Sequence, residues 1–157
     1  MTRMVAIVLL MLSGCDSAED PAGIESAKEA VQTATLTGLY EGKGAPPSQL
    51  CILDRGMGNA RFGLVVRDEQ GRSCSGAGAA VREGGLLRLT MTGDEACEIE
   101  AAIVDGRVAF PAVLPPDCAY YCGPGAVMAG AGFNKVGGAA EDAMRARDLV
   151  GDPLCEG

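Results

Sequence analysis

The chain has no histidine and no tryptophan, and its 157 residues include only three phenylalanines, three tyrosines and three lysines. Without histidine it lacks the commonest general base, the commonest metal ligand and the usual partner of a serine or cysteine nucleophile. With so few aromatics, the core must be built from Val, Leu, Ile, Ala and Met, which leaves room for other staples. Basic residues are also scarce, 13 against 21 acidic, for a net charge of −8. That weighs against nucleic acid, whose binding needs clustered Lys and Arg to replace phosphate counterions. It equally weighs against a polybasic contact with anionic lipid. The apolar run near the start, Met4 to Leu12, is nine residues, and a bilayer span takes about 20.

What that run does have is a particular ending. Met1-Thr2-Arg3 gives a short positive start, the oily stretch follows, and Leu12-Ser13-Gly14-Cys15 closes it before Asp16. A charged start, a short apolar core and small residues at its end are the layout of a secretory signal. The Leu-Ser-Gly-Cys ending resembles the lipobox of bacterial lipoproteins. The resemblance implies that residues 1–14 are a signal peptide cut before Cys15, and that Cys15 carries acyl chains anchoring the chain in the lipid bilayer. Two or three chains anchor firmly, since each buried methylene contributes about 0.8 kcal/mol. It implies an exported protein facing the periplasm, with Asp16 tilting the expectation towards the inner membrane. Removing 14 residues from 157 leaves 143, with 12 basic against 21 acidic once Arg3 is gone. That length suffices for one domain with a real core.

Setting Cys15 aside, Cys51, Cys74, Cys97, Cys118, Cys122 and Cys155 remain. An even number in an exported chain predicts three disulfides. A thiolate zinc site prefers closely spaced pairs, and only Cys118 and Cys122 are close, so disulfides are expected and no metal. Cys51, Cys74 and Cys97 are spaced 23 apart, which ordinary strand-and-turn spacing explains without a repeat. Pairing Cys74 with Cys97 across a three-strand unit is the favoured connection, although sequence leaves connectivity open.

Residues 15–35 are small and polar and read as a lipidated tether, leaving 36–157 as a single domain. There TLTGLYEG, QLCILD, RFGLVV, SCSGAGAAV, LLRLTM, CEIEAAIV and RVAFPAV are short β-like runs separated by turn residues. Asp105-Gly106 is the strongest hairpin signal among them. The expected fold is mainly β: a small, disulfide-stapled antiparallel meander, closed or nearly closed as a barrel. Residues 117–138 are glycine-rich and predict loop with at most one strand. A C-terminal helix is expected at about 139–150, with acids Glu141 and Asp142 first, Arg145 and Arg147 later, and Gly151 as its cap. Ala140, Ala143, Met144 and Val150 would face the sheet.

Candidate chemistry is sparse. Cys122-Gly123-Pro124-Gly125 resembles the CGPC motif of thioredoxin-like oxidoreductases, but Gly125 stands where the resolving thiol is needed. Ser73 and Ser75 flank Cys74 without a lysine at Ser-x-x-Lys spacing, so a strand end is expected rather than a nucleophile. Asp94, Glu95, Glu98, Glu100 and Asp105 lack the ladder of a calcium loop, and the alternation with Ile99 and Ala101 predicts a solvated strand face. Tyr120-Tyr121 beside Gly123-Pro124-Gly125 is the candidate binding stretch, because paired tyrosines in a pinned loop present flat amphipathic surface.

The expected function is a membrane-anchored envelope lipoprotein with a binding or scaffolding domain whose ligand the sequence leaves open, an envelope protein being one candidate partner, without catalytic residues, cofactor or nucleic acid. Architecture of this kind is similar to membrane-bound lysozyme inhibitors, which makes inhibition the alternative. That family's Ser-Gly loop and Lys-bearing segment are not matched here, since Ser75-Gly76 alone is too little. A carboxylate-based hydrolase is the third reading.

Overall fold

The structure is a computed structural model that describes residues 35–93 and 97–156. The expected lipobox with Cys15, Asp16 and the expected tether up to Ala34 lie outside the described residues, as do Asp94 and Glu95. Eight strands form a closed antiparallel barrel in sequence order: β1 (Gly38–Gly42), β2 (Gln49–Gly56), β3 (Asn59–Arg67), β4 (Ser73–Glu83), β5 (Leu86–Met91), β6 (Glu98–Val104), β7 (Arg107–Ala109) and β8 (Gly132–Gly137). β8 pairs back onto β1, with Tyr40 opposite Lys135. The predicted meander is thus closed into a barrel, with β1 and β8 paired rather than left as edges.

Alternation sorts the side chains. Leu50 and Ile52 on β2 face Leu64 and Phe62 on β3 and point inward, while Cys51 and Leu53 between them point outward. Across from β3, β4 offers Gly76, Gly78 and Ala80 to the interior. These small residues are needed: a Cβ at Gly76 would crowd Met91 and Tyr121, and one at Gly78 would crowd Phe62 and the Thr90 carbonyl. An eight-stranded barrel is just wide enough for side chains to fill. Tyr40, Leu50, Ile52, Leu64, Leu87 and Phe133 fill this one, none more than 1% exposed.

The two mouths close differently. At one end lie the hairpins Met57-Gly58, Gly84-Gly85 and Asp105-Gly106, each a two-residue link. Asp105 and Gly106 both have positive φ, 49° and 75°, as the turn matching strand twist requires. Leu36 plugs this mouth, with its carbonyl accepting from the Tyr40 hydroxyl at 2.8 Å and the Thr35 carbonyl accepting from Lys135 Nζ at 2.9 Å. Burial pushes the Tyr40 hydroxyl up to about 12, against the lowering influence of Arg82. The other mouth is covered by residues 110–131, described below.

The C-terminal segment forms an outer layer rather than the expected long helix. Helix α1 spans only Ala140–Ala143. Asp142 accepts from the Ala139 N–H at 3.0 Å and pairs with Arg145 at 2.7 Å, so the predicted start forms. The continuation to 150 does not. The Arg147 N–H donates to Gln49 Oε1, and the Asp148 carboxylate accepts from the N–H groups of Val150 and Asp152, bending 148–152 into a turn. An aspartate side chain competes with the helical ladder in this way. These backbone hydrogen bonds also hold the Asp148 carboxyl below the usual carboxylate range. Of the four residues expected to face the sheet only Ala143 is buried; Met144 and Val150 are exposed. Ala146 takes their place, packing with Ala143 and Leu154 on Leu39, Cys51 and Leu53 outside the barrel.

Candidate functional site

All six described cysteines are paired: Cys51–Cys155, Cys74–Cys122 and Cys97–Cys118. The expected Cys74–Cys97 bridge is corrected, and strand register explains why. Cys97 lies level with Met91, whose N–H donates to its carbonyl, and Met91 lies opposite Gly78. Cys74 therefore sits four residues further along β4, about 13 Å away at strand rise, and two strands across. A disulfide needs Cα atoms roughly 4.4–6.8 Å apart. Each cysteine instead reaches a partner in the 110–131 segment, where Cys118 and Cys122 lie one turn apart on either flank of Tyr120 and Tyr121.

This segment is a cap. Its base continues the β7–β8 ladder, with Phe110 N–H donating to the Ala131 carbonyl and Gly130 N–H to the Pro111 carbonyl, both at 2.8 Å. Pro115-Pro116 starts a 3-10 turn over Pro116–Tyr121, as proline suits a first turn. Gly123 N–H donates to the Ser73 carbonyl at 2.9 Å, tying the cap to the start of β4. Phe110, Cys118 and Met128 join the interior core, so the cap is built into the fold.

The two tyrosines divide the work. The Tyr121 ring packs over Gly76 and Met91, and its hydroxyl donates to the Thr92 carbonyl at 3.2 Å. Tyr120 is 82% exposed and meets Tyr121 edge-on at 5.4 Å between ring centroids. One tyrosine closes the mouth and the other offers its surface. Beside them runs an apolar groove of about 240 Å³, lined by Val113, Leu114, Pro116, Cys118, Val127 and Met128. Val113 and Val127 on its rim are 83% and 70% exposed. Sequence reading missed these valines. Val113 closes the run RVAFPAV, expected as a strand, and Val127 lies in the GAVMAG part of the stretch expected as loop.

The remaining candidates disperse. Cys122 of the CGPG stretch is tied to Cys74. Ser75-Gly76 lies within β4, with Gly76 facing inward rather than in an exposed loop. Glu98 and Glu100 point outward from β6 between buried Ile99 and Ala101, and Arg88 of β5 bridges them with Glu83 at 3.3–3.6 Å. These partners are 40–62% exposed, a setting in which ion pairs add little stability. Asp105 occupies the hairpin turn at the far end. Comparison with protein families, with curated proteins and with solved structures finds no match to this chain.

Proposed function

We propose that this chain is an exported, lipid-anchored envelope protein whose barrel presents its disulfide-pinned cap to an envelope protein partner. The observation that carries the reading is the cap: an exposed tyrosine and two exposed valines around an apolar groove, held by two disulfides. Rigid aromatic anchors carry binding energy at protein interfaces, and exposed apolar surface around them marks a site of interaction. The interior packed with Tyr40, Leu50, Ile52, Leu64, Leu87 and Phe133 supports an outward-facing role. Three disulfides support an oxidising compartment. The described chain begins at the hairpin end and the cap lies at the opposite end.

Two experiments test this. Replacing Cys15 by Ser in the full chain should abolish labelling by radioactive palmitate and leave the precursor uncut; normal labelling would sink the anchor. In a pull-down from detergent-solubilised membranes, the wild-type chain should retain a defined envelope protein, and Tyr120→Ala with Val127→Asp should release it. Retention undiminished by that double substitution would sink the cap reading.

A further inference from the structure

A second concavity lies on the barrel wall, and its chemistry differs from that of the cap. Strand β7 pairs for only three residues before the chain leaves for the cap. Arg107, Asn134 and Glu41 occupy one outward-facing row across β7, β8 and β1, in direct register. Spaced at about 4.8 Å per strand, Arg107 and Glu41 stand roughly 10 Å apart with Asn134 between them.

Ser48, Val66 and Gly130–Gly132 line the cleft beside this row, and its volume is about 460 Å³. That volume falls in the range of about 300–1,000 Å³ typical of small-molecule sites. Lys43 and Arg67 also line it. Arg67 is fixed there: its side chain donates to the Pro47 carbonyl at 3.1 Å, and its N–H donates to Oγ of Ser48, which is only 4% exposed. The Lys43 ammonium and the Arg107 guanidinium make no hydrogen bond or ion pair with another described residue. A Cβ at position 132 would press on the Arg107 guanidinium, so Gly132 keeps room for it.

The charge is the unusual part. A chain with 21 acidic and 13 basic residues gathers three cations here against one carboxylate. Arginine forks suit carboxylate and phosphate oxygens, and lysine adds a point charge. A bare anion would meet the Glu41 carboxylate, whereas a hydroxyl-bearing anion can donate to it and to the Asn134 carbonyl. We infer that this cleft binds a small hydroxylated anion, a sugar acid or a sugar phosphate, through Lys43, Arg67 and Arg107. The inference is independent of the cap and of the anchor.

Titration calorimetry on the full-length chain at low salt tests it, with sodium glucuronate, glucose 6-phosphate, inorganic phosphate and glucose as probes. Glucuronate or glucose 6-phosphate should bind saturably and more tightly than inorganic phosphate, and glucose should not bind. The tighter of the two identifies the anion as carboxylate or phosphate. Arg107→Ala and Lys43→Ala should each weaken binding about tenfold, the loss of one charge-assisted contact, with an unchanged thermal midpoint because both side chains are exposed. Glucose binding as well as the anions would overturn the inference, as would inorganic phosphate matching glucose 6-phosphate. Unchanged affinity in both variants, or no saturable heat from either sugar anion, would also overturn it.

Discussion

Removing the Cys51–Cys155 bridge should be the most destabilising of the three disulfide deletions. The bridge spans 104 residues, against 48 for Cys74–Cys122 and 21 for Cys97–Cys118. In the chain-entropy account a closed loop of about 100 residues contributes roughly 4.7 kcal/mol and one of about 20 roughly 3 kcal/mol. The long bridge also holds the outer layer, because Cys155 anchors the segment whose Ala143, Ala146 and Leu154 cover Leu39 and Leu53. Against a typical domain stability of about 5–15 kcal/mol, Cys51→Ala with Cys155→Ala should leave a folded but marginal barrel. Urea denaturation followed by circular dichroism, under oxidising conditions, measures the loss. The midpoint should fall steeply and the denaturant slope should rise, since the unlinked unfolded chain exposes more surface. The Cys97→Ala, Cys118→Ala pair should fall less. A loss below about 1 kcal/mol for the long bridge would refute the reasoning, as loop closure alone predicts several times that. So would a peptide map of the unreduced protein that joins Cys74 to Cys97.

Alkaline pH should destabilise the barrel through Tyr40. Its folded pKa of about 12 lies above the ordinary 10.0, so the stability it contributes is complete below pH 10 and is lost as pH rises through 12, about 2–3 kcal/mol in all. Lys135, held below the ordinary lysine range by burial and then by Arg82, has the opposite slope, so the fall should show clearly only above its ordinary 10.5. Tyr40→Phe should flatten that fall at a cost of about 0.5–1.5 kcal/mol for the hydrogen bond to Leu36; a wild-type thermal midpoint unchanged up to pH 12 would contradict the burial of this hydroxyl. Gly63→Ala should loosen the C-terminal layer, because its Cβ would run into the Leu154 carbonyl and side chain. Overpacking of that kind costs about 1–3 kcal/mol, and faster proteolytic trimming after Arg147 would report it, whereas wild-type trimming would argue against the packing described. An excess of the full chain should leave lysozyme fully active, and a near-stoichiometric block would favour inhibition over cap docking.

The barrel was legible because its signals are local. Leu50 and Ile52 alternate with Cys51 and Leu53, and Asp105-Gly106 can link two strands in only a few ways. Closure through β8 was harder to see, since GFNKVG is short and sits in a glycine-rich stretch, yet Phe133 and Tyr40 complete the interior. The overlong helix arose from reading charges and small residues correctly but missing competition for the backbone. Asp148 and Gln49 take the N–H groups that a longer helix would use, and Gln49 is nearly a hundred residues away. Disulfide connectivity failed for a related reason. Cys74 and Cys97 do reach the same mouth, but only the register of β4 against β5 shows how far apart along it they are. The tyrosine pair was visible as a stretch, while the groove beside it is lined by Val113 and Val127 from separate parts of the cap. Lys43, Arg67, Arg107 and Asn134 are scattered over the chain, and no sequence window contains two of them.

The most direct test of the account is site-specific photo-cross-linking in intact cells, with the cross-linker placed at Val127 on the cap or at Val104 beside the opposite hairpin. Both positions are exposed, so either tolerates the substitution. The account predicts one defined envelope-protein adduct from Val127, lost when Tyr120 is replaced by Ala, and no such adduct from Val104. The same adduct from both ends, or none from the cap, would contradict it.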